Sequence, residues 1–532
     1  MKPLQLTTAA ALTLMAGSVH AEVISVATST QLSDAIGKAK AGDVLLLADG
    51  TYDSKGFSCS ATGTETAPIV VRSVTPFGAK VRFDALEGFK VTGAHWQFEG
   101  LDVRGVCAND SDCEHAFHVM GGADGFVLRQ NRIVDFNAQL KVNALKNGSG
   151  VWVMPKAGLI EGNELFDTRA RNTSNPTTKL NIDTGDDWIL RGNFLHDFQK
   201  GGGDNVSYGA FLKSGGKRGL LERNLVLCAR DTTGGTRIGL SFGGGGTAPQ
   251  FCAPAFDAAS PCAVEHEDGV MRNNIIASCS DVGIYLNRAK NTKLLHNTLI
   301  ATSGIDFRFA TTTGEARANV LTGSIRMRDG GTFTGVDNLQ SIPESEFVAM
   351  YLDPLKGDLR KKGDLAKLID KATATRVTDD YCARTRTGTH DLGALEHSRG
   401  DCVTSFPPSG GMTPGTDAGV TDSGSPSDGG VVVPGSDSAV PADGSNGSAS
   451  DAESSGCGCR TTRATTSAGW WLVVALAWTL RQRRLKSRRR IAPGLKSGAP
   501  TARRSPPGWG GTARNSERGD REAASYGLAR RL

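Results

Sequence analysis

The chain has 532 residues with 67 glycines and only 6% aromatics, a composition of many turns and thin layers that excludes a helical bundle. Of the formal charge of +5, residues 481–532 hold +12, which leaves −7 on residues 1–480. A mildly acidic body has no global basic field for nucleic acid, so any anionic ligand must be held by a local patch.

In chain order, Lys2, an apolar run over residues 4–16 and the small residues Val19 and Ala21 read as a secretory signal, residues 1–21, with the mature chain beginning near Glu22. The 3–4 apolar spacing of residues 32–39 predicts a helix, placed where it would cap the open N-terminal end of the core. Residues 44–47 and the turn at Gly50 and Thr51 then begin the first coil. In an oxidising compartment Cys107 with Cys113, Cys252 with Cys262 and Cys382 with Cys402 read as loop staples, while pairing of Cys59, Cys228 and Cys279 stays open. His115, His118 and His296 read as structural groups rather than metal ligands.

Seven asparagines, Asn131, Asn163, Asn193, Asn224, Asn274, Asn297 and Asn319, each precede two residues of a short strand. They recur at intervals in the twenties to low thirties, with one interval of 50 that marks a long insertion. That period means one solenoid coil per repeat. Strands stacked about 4.8 Å apart pair their backbone groups and bury a continuous apolar centre. The asparagines are expected at coil corners, in the left-handed region, with stacked amides. A leucine-rich horseshoe is disfavoured because its regular Leu spacing and helices are absent. Residues 22–402 are therefore expected to form an all-β, single-stranded, right-handed parallel β-helix.

Five segments superpose without gaps: residues 209–213, 239–243, 283–287, 304–308 and 324–328. Period-2 alternation sends Ala210, Leu240, Ile284, Ile305 and Ile325 inward, with Leu212, Phe242, Leu286, Phe307 and Met327 as a second inward column. Two outward ladders result, one of Phe211, Ser241, Tyr285, Asp306 and Arg326, the other of Lys213, Gly243, Asn287, Arg308 and Arg328. Such a face suits an extended anionic polysaccharide. Residues 243–246, all glycine, would leave room for it, and the insertion over 247–268 would wall the groove.

Residues 403–456 are rich in Ser, Gly, Pro, Asp and Thr and hold no Lys or Arg, the composition of a disordered linker. Cys457 and Cys459, an apolar run over 468–480 and an Arg cluster over 481–490 follow, and residues 491–532 form a basic tail. The order of linker, Cys, span and Arg resembles the C-terminal sorting signal of myxobacterial surface proteins. The apolar run with its basic flank reads as a transmembrane helix, the resemblance implies processing near Cys457 or Cys459 and arrival at the cell surface, and the protein is expected to be a monomer.

The stretch 208–246, with Lys213 ending one strand and Arg237 opening the next coil, resembles polysaccharide lyase family 6, the β-helix lyases that include chondroitinase B and alginate lyases. Asp353 and Pro354, Ile369 and Asp370, and residues 391–396 match closing motifs of such β-helices. The resemblance implies Lys213 as the base that removes the proton α to a uronate carboxyl group and Arg237 as the aid to leaving-group departure. Tyr285, Asn287, Asp306, Arg308, Arg326 and Arg328 would bind substrate, and Arg308 and Arg328 flanking Lys213 would favour its free amine. The family also binds calcium, but the expected acidic positions hold Val206 and Tyr208, leaving Asp204 and Asn205 as the nearest substitutes. Two alternatives stay open: a non-catalytic carbohydrate-binding or adhesin-like surface protein, and a glycoside hydrolase, for which Asn181, Asp183, Asp186 and Asp187 echo a carboxylate pattern without its His partner.

Overall fold

The computed structural model describes residues 21–404 except 245–250, 257–261 and 374. The predicted signal segment, nearly all of the linker, the anchor with Cys457 and Cys459, and the basic tail lie outside the described residues. Among the described residues no helix is long and apolar enough to cross a membrane.

Short strands rich in β-branched and aromatic residues stack into three parallel sheets. The first sheet has 12 strands, from Val23–Val26 to Thr332–Val336; the second has 10, from Phe57–Cys59 to Ser324–Arg328; the third has 10, from Gly50–Ser54 to Val320–Leu321. One coil supplies a strand to each: Leu220–Glu222 to the first, Leu225–Leu227 to the third and Thr236–Phe242 to the second. This is a single-stranded parallel β-helix, right-handed because a right-twisted strand favours that crossover. Side chains of alternate parity fill the tube, where Phe89 stacks between Phe57 at 5.3 Å and Phe117 at 5.0 Å. The predicted capping helix forms over Ser29–Lys38, with Leu32, Ala35 and Ile36 buried on the core and the Thr28 hydroxyl accepting from the Gln31 N–H at 3.2 Å.

The asparagine ladder runs along the axis as expected, with one correction. From Asn163 onward each Asn side-chain oxygen accepts both the backbone N–H and the amide N–H of the Asn one coil before, as Asn224 does from Asn193 at 3.0 Å each. Each amide also donates to a backbone carbonyl, Asn224 to Leu190 at 2.9 Å. Asn338 adds a member not seen in the sequence. The left-handed residue is the one before each Asn: Gln130, Gly162, Gly192, Arg223, Asn273, His296, Ala318 and Asp337. That residue turns the chain from the first sheet to the third, and the turn swings the Asn side chain under the corner.

The outer face of the first sheet carries a second ladder. Arg72, Glu99, Arg129, Glu161, Arg191, Glu222 and Arg272 stand in register, alternating in sign over seven coils. Neighbours approach to between 2.6 and 3.8 Å. The outer face of the third sheet is covered instead by the C-terminal segment, whose helix Glu344–Met350 buries Phe347 and Met350 against Leu225, Ile275 and Ile300. The predicted closing motifs belong to this cover, where buried Arg386 pairs with Glu396 at 2.6 Å. Among the described residues no further coil stacks on the last one. Met327, expected in the core, is 62% exposed there, and Ile325 is only partly buried.

The structure joins Cys107 with Cys113, Cys252 with Cys262, and Cys382 with Cys402, and it adds Cys228 with Cys279. Cys59 is a buried free thiol inside the tube.

Candidate functional site

With the first sheet's outer face closed by paired charges and the third's by the C-terminal segment, the second sheet carries the remaining polar face. The register of its later strands is the one read from the sequence: Asn287, Arg308 and Arg328 align, as do Ser241, Tyr285, Asp306 and Arg326. Lys213 occupies the same outward column, because its neighbour Leu212 pairs with Phe242 and Phe242 with Leu286.

The register also extends upstream. Asp183 lies beside Lys213 and Asn143 beside Asp183, while Lys90, His118, Lys141 and Asn181 continue the adjoining column. Asp183 stands between two ammonium groups: Lys213 Nζ is 3.1 Å from Oδ1, and Lys141 Nζ contacts Oδ2. Lys141 also donates to Asn181 Oδ1 at 3.2 Å, and the Ser214 hydroxyl donates to Asp183 Oδ1 at 3.0 Å. Burial opposes ionisation of Asp183, yet Lys141 and Lys213 outweigh it and hold the carboxyl well below the usual carboxylate range. Burial pulls the Lys141 ammonium below the ordinary lysine value; Asp183 opposes that shift and Lys213 adds to it. Lys141 and Lys213 thus share one partly buried carboxylate on this face.

The predicted substrate-binding residues come together farther along the same face as a bonded patch. Asp306, 1% exposed, accepts from Arg326 at 2.6 Å and Arg328 at 2.7 Å. Arg308 donates to Asp329 at 2.6 Å and to the Tyr285 hydroxyl at 3.2 Å, and Asn287 reaches that hydroxyl at 3.5 Å. Arg308 and Arg328 stand three and four coils from Lys213, about 14 and 19 Å, so they do not flank it as expected. Gly243, expected to open space for a ligand, answers a different need. Its φ is +75°, and a Cβ there would meet the Asn287 carbonyl oxygen at 1.9 Å.

Arg237 is not brought to Lys213. It pairs in register with Ser207, at the far end of the strand that Lys213 closes, about 20 Å away. The guanidinium is 1% exposed and occupied by the carbonyls of Cys228, Thr232 and Gly234 and by Gln199 Oε1, a structural setting. Asp204 and Asn205 also lie at that far end. The exposed Asp204 carboxylate accepts from the Val206 N–H at 3.1 Å and pairs with Lys200, while Asn205 turns the chain at φ +59°. These two residues do not form an oxygen-rich calcium site beside Lys213. The carboxylate that does stand there, Asp183, already carries two ammonium groups, so its surroundings do not fit a calcium ion either.

Sequence reasoning missed Lys141, Asp183 as its partner, and Asn143. Their strands, Ala138–Asn143 and Thr177–Asp183, share the alternation of the later ones but have Gln139 and Lys179 where the aligned segments begin with Gly or Ser. Lys179 takes that place by turning its ammonium to buried Asp167 at 2.6 Å. The alternation without the Gly landmark was the available signal.

Two excursions flank Lys213. The insertion passes the corner after it, where the Ala253 N–H donates to the Ser214 carbonyl at 3.0 Å and Glu265 Oε2 accepts from the Ser214 N–H at 2.9 Å. Trp152, on the hairpin of Leu145–Lys146 and Trp152–Val153, stacks on Phe256 of the insertion at 5.3 Å. The expected wall is therefore built from both excursions.

Fold and polar face together define a parallel β-helix resembling the polysaccharide lyases built on this fold. The family described as Chondroitinase B matches residues 26–118. Among solved structures, pectate lyase Pel9A is similar with a TM-score of 0.49 and 14% identity, covering 71% of this chain and 97% of that one. An alginate lyase from Paenibacillus sp. str. FPU-7 aligns with a TM-score of 0.38 and 17% identity over 60% of this chain and 99% of its own. A mannuronic acid specific family 6 lyase from human gut microbiota aligns with a TM-score of 0.35 and 15% identity over 56% and 67%. No curated protein matches the sequence significantly.

Proposed function

We propose that this protein binds an extended uronate-containing polysaccharide along the second sheet and cleaves it by β-elimination at Lys141, Asp183 and Lys213. The observation that carries the reading is the partly buried Asp183 carboxylate shared by two lysines on the outward face. One amine, Lys213 in this reading, takes the proton from C5 of the uronate. The electron pair forms the C4=C5 double bond as the C4–O bond breaks, and the departing oxygen gains a proton. The Lys141 ammonium faces the uronate carboxylate and stabilises the charge that builds on it in the enolate-like transition state. Asp183 holds both amines in place, and the arginine patch at Asp306 serves a sugar farther along the chain.

Support for a uronate substrate comes from the match to the Chondroitinase B family over residues 26–118 and from the two ammonium groups held at Asp183. The four disulfides support export, and the C-terminal Cys, apolar run and Arg cluster support retention at the cell surface by a membrane anchor.

The test incubates the purified protein with alginate, pectate and chondroitin and follows ultraviolet absorbance of the unsaturated product. Lys213→Ala and Lys141→Ala are each expected to lower the rate by about a hundredfold or more. Retained binding with no product on any polyuronate would replace this reading with the non-catalytic carbohydrate-binding one.

A further inference from the structure

At its N-terminal end the polar column begins with three side chains that the elimination does not use. Glu87 opens the strand Glu87–Val91, and the next strand, His115–Met120, pairs with it so that His115 stands opposite Glu87. Glu87 Oε1 lies 2.6 Å from His118 Nδ1 and 3.9 Å from His115 Nδ1. One donor atom from each of the three residues falls within 4.8 Å of the other two.

One detail sets this cluster apart from an ordinary ion pair. His115 Nδ1 is buried and has no hydrogen-bond partner among the described residues, a condition that native interiors rarely tolerate. His118 Nε2 meets Asn143 Oδ1 at 2.6 Å. An amide oxygen only accepts, so Nε2 carries a ring proton, and the contact between Nδ1 and Glu87 is bridged either by a second ring proton or by a cation in its place.

We propose that Glu87, His115 and His118 form a binding site for a divalent first-row transition ion of the zinc type. Ligand atoms about 2.1 Å from a tetrahedral ion stand about 3.4 Å apart, a spacing that the observed 2.6 and 3.9 Å straddle. Shifts of under about 1 Å close the site, within reach of side-chain rotation. Two imidazoles and one carboxylate suit zinc or cobalt, whereas calcium takes oxygen ligands. Three protein ligands leave a position for water or a sugar oxygen. Glu87 also lines a shallow cleft of about 340 Å³ with Lys55, Ser58, Leu86 and Lys90, which offers the ion a route from solvent.

Cobalt(II) titrated into the chelator-stripped full chain tests the site. One equivalent is expected to bind with visible d–d bands and without the near-ultraviolet charge-transfer band that cysteine ligation gives, and zinc should displace it. His115→Ala should weaken binding by at least about tenfold at an unchanged melting temperature, since no protein partner loses a bond. Should that variant not fold, His115→Phe, which fills the space without a ligand atom, is read in its place. The proposal is overturned by absent stoichiometric binding, by a thiolate band alone, or by a His115 variant that holds cobalt as tightly as the parent.

Discussion

Asp183 shows how a side chain's role depends on what stands one coil away. Its sequence neighbourhood, Asn181 to Asp187, resembles a turn or a hydrolase motif, but register puts it beside Lys213 and within reach of Lys141. Lys213 itself was legible because alternation after Gly209 sends it outward. Another residue whose environment decides its chemistry is His266, buried with its ring 4.1 Å from that of Phe242. Burial, with Arg218 adding to it, pushes its pKa down to about 3 from an ordinary value near 6.5. Above about pH 6.5 the imidazole is neutral in both folded and unfolded chains and contributes no pH dependence. Between about pH 6.5 and 3 the unfolded chain binds a proton that the folded one refuses, so stability falls as pH falls, by up to about 1.4 kcal/mol per unit. Urea midpoints across this range should show the slope. His266→Gln, which keeps an acceptor for the Gly219 N–H now 3.3 Å from Nε2, should flatten it. An unchanged slope in the variant would assign the acid sensitivity to other groups.

At the scale of the element, two ladders define the register between coils. The asparagine ladder was readable because an amide that donates and accepts along the axis must recur once per coil. What the sequence hid was which corner residue adopts the left-handed region, since Arg223, His296 and Ala318 are not residues that announce it. Asn224→Ala removes the acceptor of the buried Asn193 N–H and one donor to the Leu190 carbonyl and is expected to cost about 2–4 kcal/mol, read as a lowered denaturation midpoint. The charge ladder was invisible because Arg and Glu on successive first-sheet strands are separated by about thirty residues of chain. Arg191 reaches Glu222 at 2.6 Å and Glu161 at 3.6 Å, and Glu222 is 1% exposed. Arg191→Glu sets three carboxylates in a row, with an expected loss of about 1–3 kcal/mol that shrinks in high salt. Arg191→Gln, which removes the pairing without adding a like charge, should lose less; a glutamine variant as unstable as the glutamate one would show that the ladder's order is unimportant.

For the whole molecule, the decisive arrangement is that two of three outer faces are closed, one by paired charges and one by the C-terminal segment. Phe347 is fully buried in that cover. Phe347→Ala is expected to cost about 3–5 kcal/mol and to expose apolar surface on the third sheet. Thermal unfolding and dye binding measure both effects, and a variant that melts like the parent would mean the cover is not coupled to the tube. The fold was legible in outline because a β-helix repeats: strand length, alternation and a corner Asn return with each coil, and each repetition reinforces the reading. Period and alternation, properties of neighbours along the chain, thus determined the tube, its core columns and the face on which Lys213 stands. Only the folded chain decided that Arg237 is buried structure, that Asp183 joins two lysines, and that Glu87 meets two histidines. Those are contacts between residues about thirty or more apart, and their chemistry depends on distances of a few ångströms that coil length, insertions and turns set together.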